Sequence, residues 1–142
     1  MRRAVLDASV VLKWYLPDED HGQPALDLLN SYLSDDLEII VPSLLEYEII
    51  NSLVVAQKRG RIKEEVILSA IEGFLNLGIK TVRVAGLYPR VLHFYRMYSR
   101  STYDASYLAL AEAEQIHFIT ADETLYNGVK KDLTWVKWLG HH

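Results

Sequence analysis

The sequence predicts an α/β fold built on a mostly parallel central sheet. Three observations carry that expectation. Short apolar runs rich in branched residues alternate with longer runs whose apolar residues recur three and four apart. The short runs suit strands buried on both faces and separated by helices, which requires a parallel sheet with right-handed crossovers. No Gly/Ser/Pro-rich linker, low-complexity tract or internal repeat divides the chain.

Taken in order, "RAVLDA" forms a first strand ending near Asp7, and "SVVLKWYL" a short helix closed by Pro17, because proline cannot extend a helix. "DEDHG" is a loop, "PALDLLNSYL" a helix and "LEIIV" a short buried strand. Pro42 suits the first turn of the next helix. That helix, "SLLEYEIINSLVVAQK", carries Glu48 and stops at Gly60, with Lys58 and Arg59 complementing its dipole. "KEEVILSAIEGFLNLG" follows as its antiparallel partner. "IKTVRV" is a strand, "YPRVLHFYRMYS" a helix, and "TYDASYLALAEAEQ" an alanine-dense helix suited to tight packing. "HFITAD", "ETLYNGVK" and "LTWVKWL" close the chain as strand, short helix and strand.

The 142 residues, half of them apolar, fit a single domain over residues 1–140. A formal net charge of −4 argues against coating nucleic acid by bulk electrostatics, while leaving room for a locally basic groove. The absence of cysteine excludes disulfides and thiolate metal sites and fits a reducing compartment, so the cytoplasm is the expected location. Met1-Arg2-Arg3 leads into no signal-peptide run, and no stretch approaches about 18 uncharged apolar residues, so no membrane segment is expected. His141 and His142 are either native or the remnant of an expression tag, and neither enters a metal argument.

Four acids occupy privileged positions. Asp7 and Asp122 stand at carboxyl ends of predicted strands, where open parallel sheets bind ligands. Ser9 and Thr120 set hydroxyls beside them. Each aspartate equally suits a helix N-cap, worth about 1 kcal/mol. Asp104 opens a helix too, where Ser101 or Thr102 would serve as cap and leave Asp104 in a first turn that favours negative charge. Glu48 shares a helical stripe with Leu44, Asn51 and Val55; it is either a buried acid needing a partner or a solvent-facing neighbour of Ser52. Four carboxylates gathered without cations raise one another's pKa, and a divalent ion reverses the sign. Oxygen-only donors point to Mg²⁺ or Mn²⁺, ions that bind phosphates and support phosphodiester hydrolysis.

The segments "VLDASVVLKWYL", "VPSLLEYEIINSL", "RSTYDASYLALAEAE" and "FITADETLY" together resemble the PIN-domain family, in particular the VapC-type ribonuclease toxins of toxin–antitoxin pairs. The resemblance implies a three-layer α/β/α sandwich and an acidic pocket of catalytic Asp7, Glu48, Asp104 and Asp122. It implies Mg²⁺- or Mn²⁺-dependent RNA cleavage, with Asp7 and Asp104 as principal metal ligands and Glu48 and Asp122 completing the site. Ser9, Asn51 and Thr120 would be supporting polar groups. A homodimer and a small antitoxin lying over the groove are implied as well. Thr124 departs from the pattern, since some relatives carry a further acid there.

Basic side chains must hold RNA beside such a pocket. Lys13, Arg90, Arg96 and Arg100 are the candidates, with His93 on the same helical face as Arg96 and Arg100. The stripe Tyr88, Val91, Leu92, Tyr95 and Tyr98 is assigned to the core or an interface, and Lys58, Arg59, Arg61 and Lys63 to a solvated hairpin turn. Two other functions fit parts of the pattern: a non-hydrolytic PIN-like RNA- or partner-binding module, and a receiver-type phosphoacceptor domain. The second lacks its adjacent acidic pair, since Leu6 precedes Asp7.

Overall fold

Five parallel strands run through the centre in the order β3-β2-β1-β4-β5, with β1 at Arg2–Leu6, β2 at Leu37–Pro42, β3 at Lys80–Val82, β4 at His117–Thr120 and β5 at Val136–Trp138. Every pairing is parallel, including Val5 opposite Phe118 and Ala4 opposite Ile39. The structure is a computed structural model and describes residues 1–141; His142, one of the two histidines that are either native or a tag remnant, lies outside them. No described helix is long and apolar enough to cross a membrane.

Burial explains the order. Ala4, Val5 and Leu6 of β1 and Phe118, Ile119 and Thr120 of β4 are buried at every position, as central strands covered on both faces require. The edge strand β3 has no fully buried residue. From β1 the chain steps outward to β2 and β3 through α1 (Ala8–Val11), α2 (Gly22–Leu33), α3 (Leu44–Lys58) and α4 (Glu64–Asn76). It then returns across the sheet through α5 (Tyr88–Tyr98) and α6 (Thr102–Glu114) to β4, and α7 (Glu123–Val129) leads to β5. Right-handed crossovers in opposite directions put the helices of the two halves on opposite faces, giving an α/β/α sandwich.

The helix α6 lies between the sheet and α5, against β1, β2 and β4. Seven consecutive residues, Ala105–Ala111, are buried, so the middle of this helix is enclosed on every side, and its alanines permit close approach. Phe94 of α5 closes the outer side, packed edge-on against Trp135.

Three local expectations are revised. Pro42 ends β2 instead of opening α3: having no N–H, it terminates the strand, and the Ser43 N–H donates to the Val82 carbonyl at 2.9 Å before α3 begins. The last strand shrinks to Val136–Trp138, because the Leu133 and Val136 N–H groups bond back to Val129 and Leu133 in a turn. The α5 stripe divides: Val91, Phe94 and Tyr98 pack inward, whereas Tyr88, Leu92 and Tyr95 stand exposed. A 100° step per residue puts those two sets on different faces.

Candidate active site

Strand order reverses between β1 and β4, and at such a switch point an open parallel sheet leaves a crevice beyond its carboxyl edge. Asp7 leaves β1 there and Asp122 follows β4. Their backbones are both extended at helix N-cap positions, yet the two side chains behave differently. Asp122 Oδ1 accepts from the Leu125 N–H at 3.0 Å and caps α7. Asp7 makes no cap bond. Its carboxylate turns across the crevice, accepting from Ser9 Oγ at Oδ1 and from Thr120 Oγ1 at Oδ2, the latter at 2.6 Å.

Those hydroxyls are themselves fixed. Ser9 Oγ accepts from the Ala121 N–H at 2.9 Å, and Thr120 Oγ1 from the Asp122 N–H at 3.0 Å. The turn after β4 thus orients both donors towards Asp7. Asp7 is only 7% exposed. Its carboxyl is pushed up to about 7: burial raises it most, the two hydroxyls pull it down, and the charges of Asp122 and Asp104 add to the rise.

The second pair of acids comes from α3 and α6. Ser101 caps α6 by accepting from the Asp104 N–H at 3.0 Å, which leaves Asp104 in the first turn with its carboxylate free for other contacts. Arg100 takes it: Nη2 and Nε both donate to Oδ2, at 2.9 and 3.2 Å. Glu48 is half-buried on α3 and accepts from the Tyr107 hydroxyl one turn beyond Asp104. Burial raises the Glu48 carboxyl, Tyr107 opposes that rise, and the charge of Asp104 adds to it. Asp104 therefore lies within electrostatic reach of both Glu48 and Asp7.

The other predicted residues are placed less centrally. Asn51 is exposed and lines a groove with Leu12, Leu16 and Arg61, and it hydrogen-bonds to none of the four acids. Lys13 pairs with Glu19 at 3.3 Å and borders a cleft of about 410 Å³ that reaches Ala121 and Trp138. Arg90 forms a two-pronged pair with Glu112, at 2.7 and 2.9 Å, eight residues along α6 from Asp104 and so roughly 12 Å away. Arg96 is exposed in the last turn of α5. Tyr107 was not singled out from the sequence. Its signal is a polar tip three residues after Asp104, on the same side of an otherwise apolar helix.

The donor set fits a hard divalent cation in kind, being carboxylate oxygen only, with two acids raised by burial and by their acidic neighbours. Side-chain placement is looser than a closed site: among the described residues no three His, Asp or Glu side chains converge on one ion position. Protein donors hold each of the four acids instead, at Asp7 from Ser9 and Thr120, at Glu48 from Tyr107, at Asp104 from Arg100 and at Asp122 from Leu125.

The PIN domain matches residues 4–131, and the chain belongs to the PIN-domain family. That membership sets aside the receiver-type reading. Among solved structures, PAE2754 from Pyrobaculum aerophilum is 21% identical with a TM-score of 0.67, over 99% of this chain and 92% of that one. The Mycobacterium tuberculosis toxin VapC20, described as cleaving the sarcin-ricin loop, is 13% identical with a TM-score of 0.63, over 88% and 95%. A toxin–antitoxin complex from Klebsiella pneumoniae gives 14% and 0.60, over 94% of each chain. At these identities the likeness is one of fold. No curated protein matches the chain.

Proposed function

We propose that this PIN-domain protein is a divalent-metal-dependent endoribonuclease, the toxin of a toxin–antitoxin pair. The observation that carries the reading is Asp7: a buried carboxylate that declines its helix cap and is aimed by two oriented hydroxyls into the crevice flanked by Asp122, Asp104 and Glu48. The fold shared with a sarcin-ricin-loop-cleaving toxin and with a toxin–antitoxin complex supports RNA as substrate and a small protein as inhibitor. A cytoplasmic homodimer belongs to the same reading.

Asp7 and Asp104 would hold Mg²⁺ or Mn²⁺, with Glu48 and Asp122 completing the site. When bound, the ion supplies charge for the phosphate oxygens and acidifies water. Ser9 and Thr120 keep Asp7 oriented, and Tyr107 keeps Glu48 facing the crevice. Glu48 or Asp122 accepts the proton of the attacking water. Lys13, Arg96 and Arg100 supply positive charge around the crevice for the RNA backbone. In-line attack by water leaves a 5′-phosphate and a 3′-hydroxyl.

The test is cleavage of a mixed RNA set with Mg²⁺, Mn²⁺ or chelator, run beside Asp104→Asn. The expected outcome is metal-dependent cleavage by the parent with 5′-phosphate ends and loss of at least 100-fold in the variant, a roughly 3 kcal/mol effect. Equal cleavage by both proteins, or 2′,3′-cyclic phosphate ends, overturns the assignment. A second reading, a non-hydrolytic binding module, draws on the absence of three convergent ligands among the described residues; RNA binding without cleavage at any metal concentration would select it.

A further inference from the structure

Arg100 is the one basic side chain, among the described residues, that forms an ion pair with any of the four acids. Helix stability does not account for it. Cations are disfavoured at a helix N-terminus, and Asp104 already complements the α6 dipole from the first turn. Arg100 lies in the connection between α5 and α6, outside both helices, so the pair is not a rung of helical side-chain pairing either. What the guanidinium does accomplish is charge compensation: it sits on Asp104, whose charge raises both Asp7 and Glu48. Both of its nitrogens address one oxygen, Oδ2, instead of spanning the carboxylate, and its side chain is 20% exposed. Such a pair is open to exchange, because the fork-to-fork geometry that locks arginine onto carboxylate is not made.

We propose that Arg100 competes with a divalent ion for Asp104, so that the ion binds Asp104 only as the Arg100–Asp104 pair opens. Arg100 is thus a positioning residue acting through Asp104, and the released guanidinium is left at the crevice edge. The inference rests on the metal-dependent reading above.

Mn²⁺ titration by calorimetry on the full chain, in the parent, Arg100→Gln and Arg100→Lys, tests it without reference to activity. Removing the competing charge is expected to tighten Mn²⁺ binding on the order of five-fold in Arg100→Gln, the range of a partly exposed ion pair. Arg100→Lys keeps the charge and is expected to stay within about two-fold of the parent. Metal-free Arg100→Gln should also melt below the parent and gain more from saturating Mn²⁺, since its acids repel without relief. Unchanged or weaker Mn²⁺ binding in Arg100→Gln, with the parent binding, overturns the competing role and leaves the nuclease reading standing. Tightening in Arg100→Lys as large as in Arg100→Gln overturns it too. If neither parent nor variants bind Mn²⁺, both readings fall together.

Discussion

Asp7 is a carboxyl that the folded protein prefers protonated. Its value of about 7 lies above the ordinary 3.8, so between these two pH values the native state holds a proton that the unfolded chain releases. Stability from this group therefore falls as pH rises from about 4 to about 7 and is level above that. Asp7→Asn removes this titration, and the amide can still bond both hydroxyls. In chelator the variant is expected to exceed the parent in stability by on the order of 4 kcal/mol at pH 8, with the difference closing towards pH 4. Denaturant unfolding at several pH values checks this, and a variant no more stable than the parent at pH 8 would show that Asp7 is not a strained acid. Tyr107→Phe acts in the other direction. It strips the donor from Glu48, costing roughly 1–3 kcal/mol and raising that carboxyl further, so the acid limb of the pH–rate profile should move to higher pH. These two partnerships mark the boundary of sequence reasoning at this scale. The four acids and the hydroxyls of Ser9 and Thr120 stood out by position, because strand ends and helix starts are legible. That Tyr107 reaches Glu48 across 59 residues, or that Arg100 turns to Asp104 and not outward, depends on rotamers set by packing.

Among the elements, α6 concentrates the consequences of burial. Ala109 is fully buried within it, and Ala109→Leu should overpack the layer between sheet and α5 by about 1–3 kcal/mol. Ser101→Ala should cost about 1 kcal/mol through the lost cap and leave Asp104 less firmly presented. Asp122 offers a cleaner separation of roles. Asp122→Asn keeps a capping oxygen for Leu125 while removing the charge, so stability should hold within about 0.5 kcal/mol, whereas Asp122→Ala should lose about 1 kcal/mol. Denaturant midpoints distinguish the two, and equal loss in both would mean that capping is not what Asp122 does for the fold. The long elements were legible from periodicity, α3 and α6 to within a residue at each end. Misreadings fell where backbone hydrogen bonds decide, at Pro42 at the end of β2 and in the turn that shortens β5; on α5 a pattern of apolar spacing cannot separate the exposed tyrosines from those that pack inward.

At the scale of the whole molecule, the sheet order was not written in any single segment. The alternation of strand and helix specified a parallel sheet, but the neighbours of β1 follow from which crossover doubles back, and that choice is tertiary. It places Asp7 beside Thr120, 113 residues distant in sequence. A chain ending at Gln115 would lack β4 and leave the long apolar edge of β1 unpaired. Such a truncation is expected to lose cooperative unfolding, as near-ultraviolet circular dichroism through a denaturant series would reveal; a sharp native-like transition would contradict the central place given to β4.

The pairing of β1 with β4 also sets a schedule. A polypeptide emerges from its amino end, so Asp7 is made more than a hundred residues before Thr120, Asp122 and the strand that leads to them. The crevice cannot assemble on a partly made chain. The acids come into register only once the chain extends through β4 and Asp122.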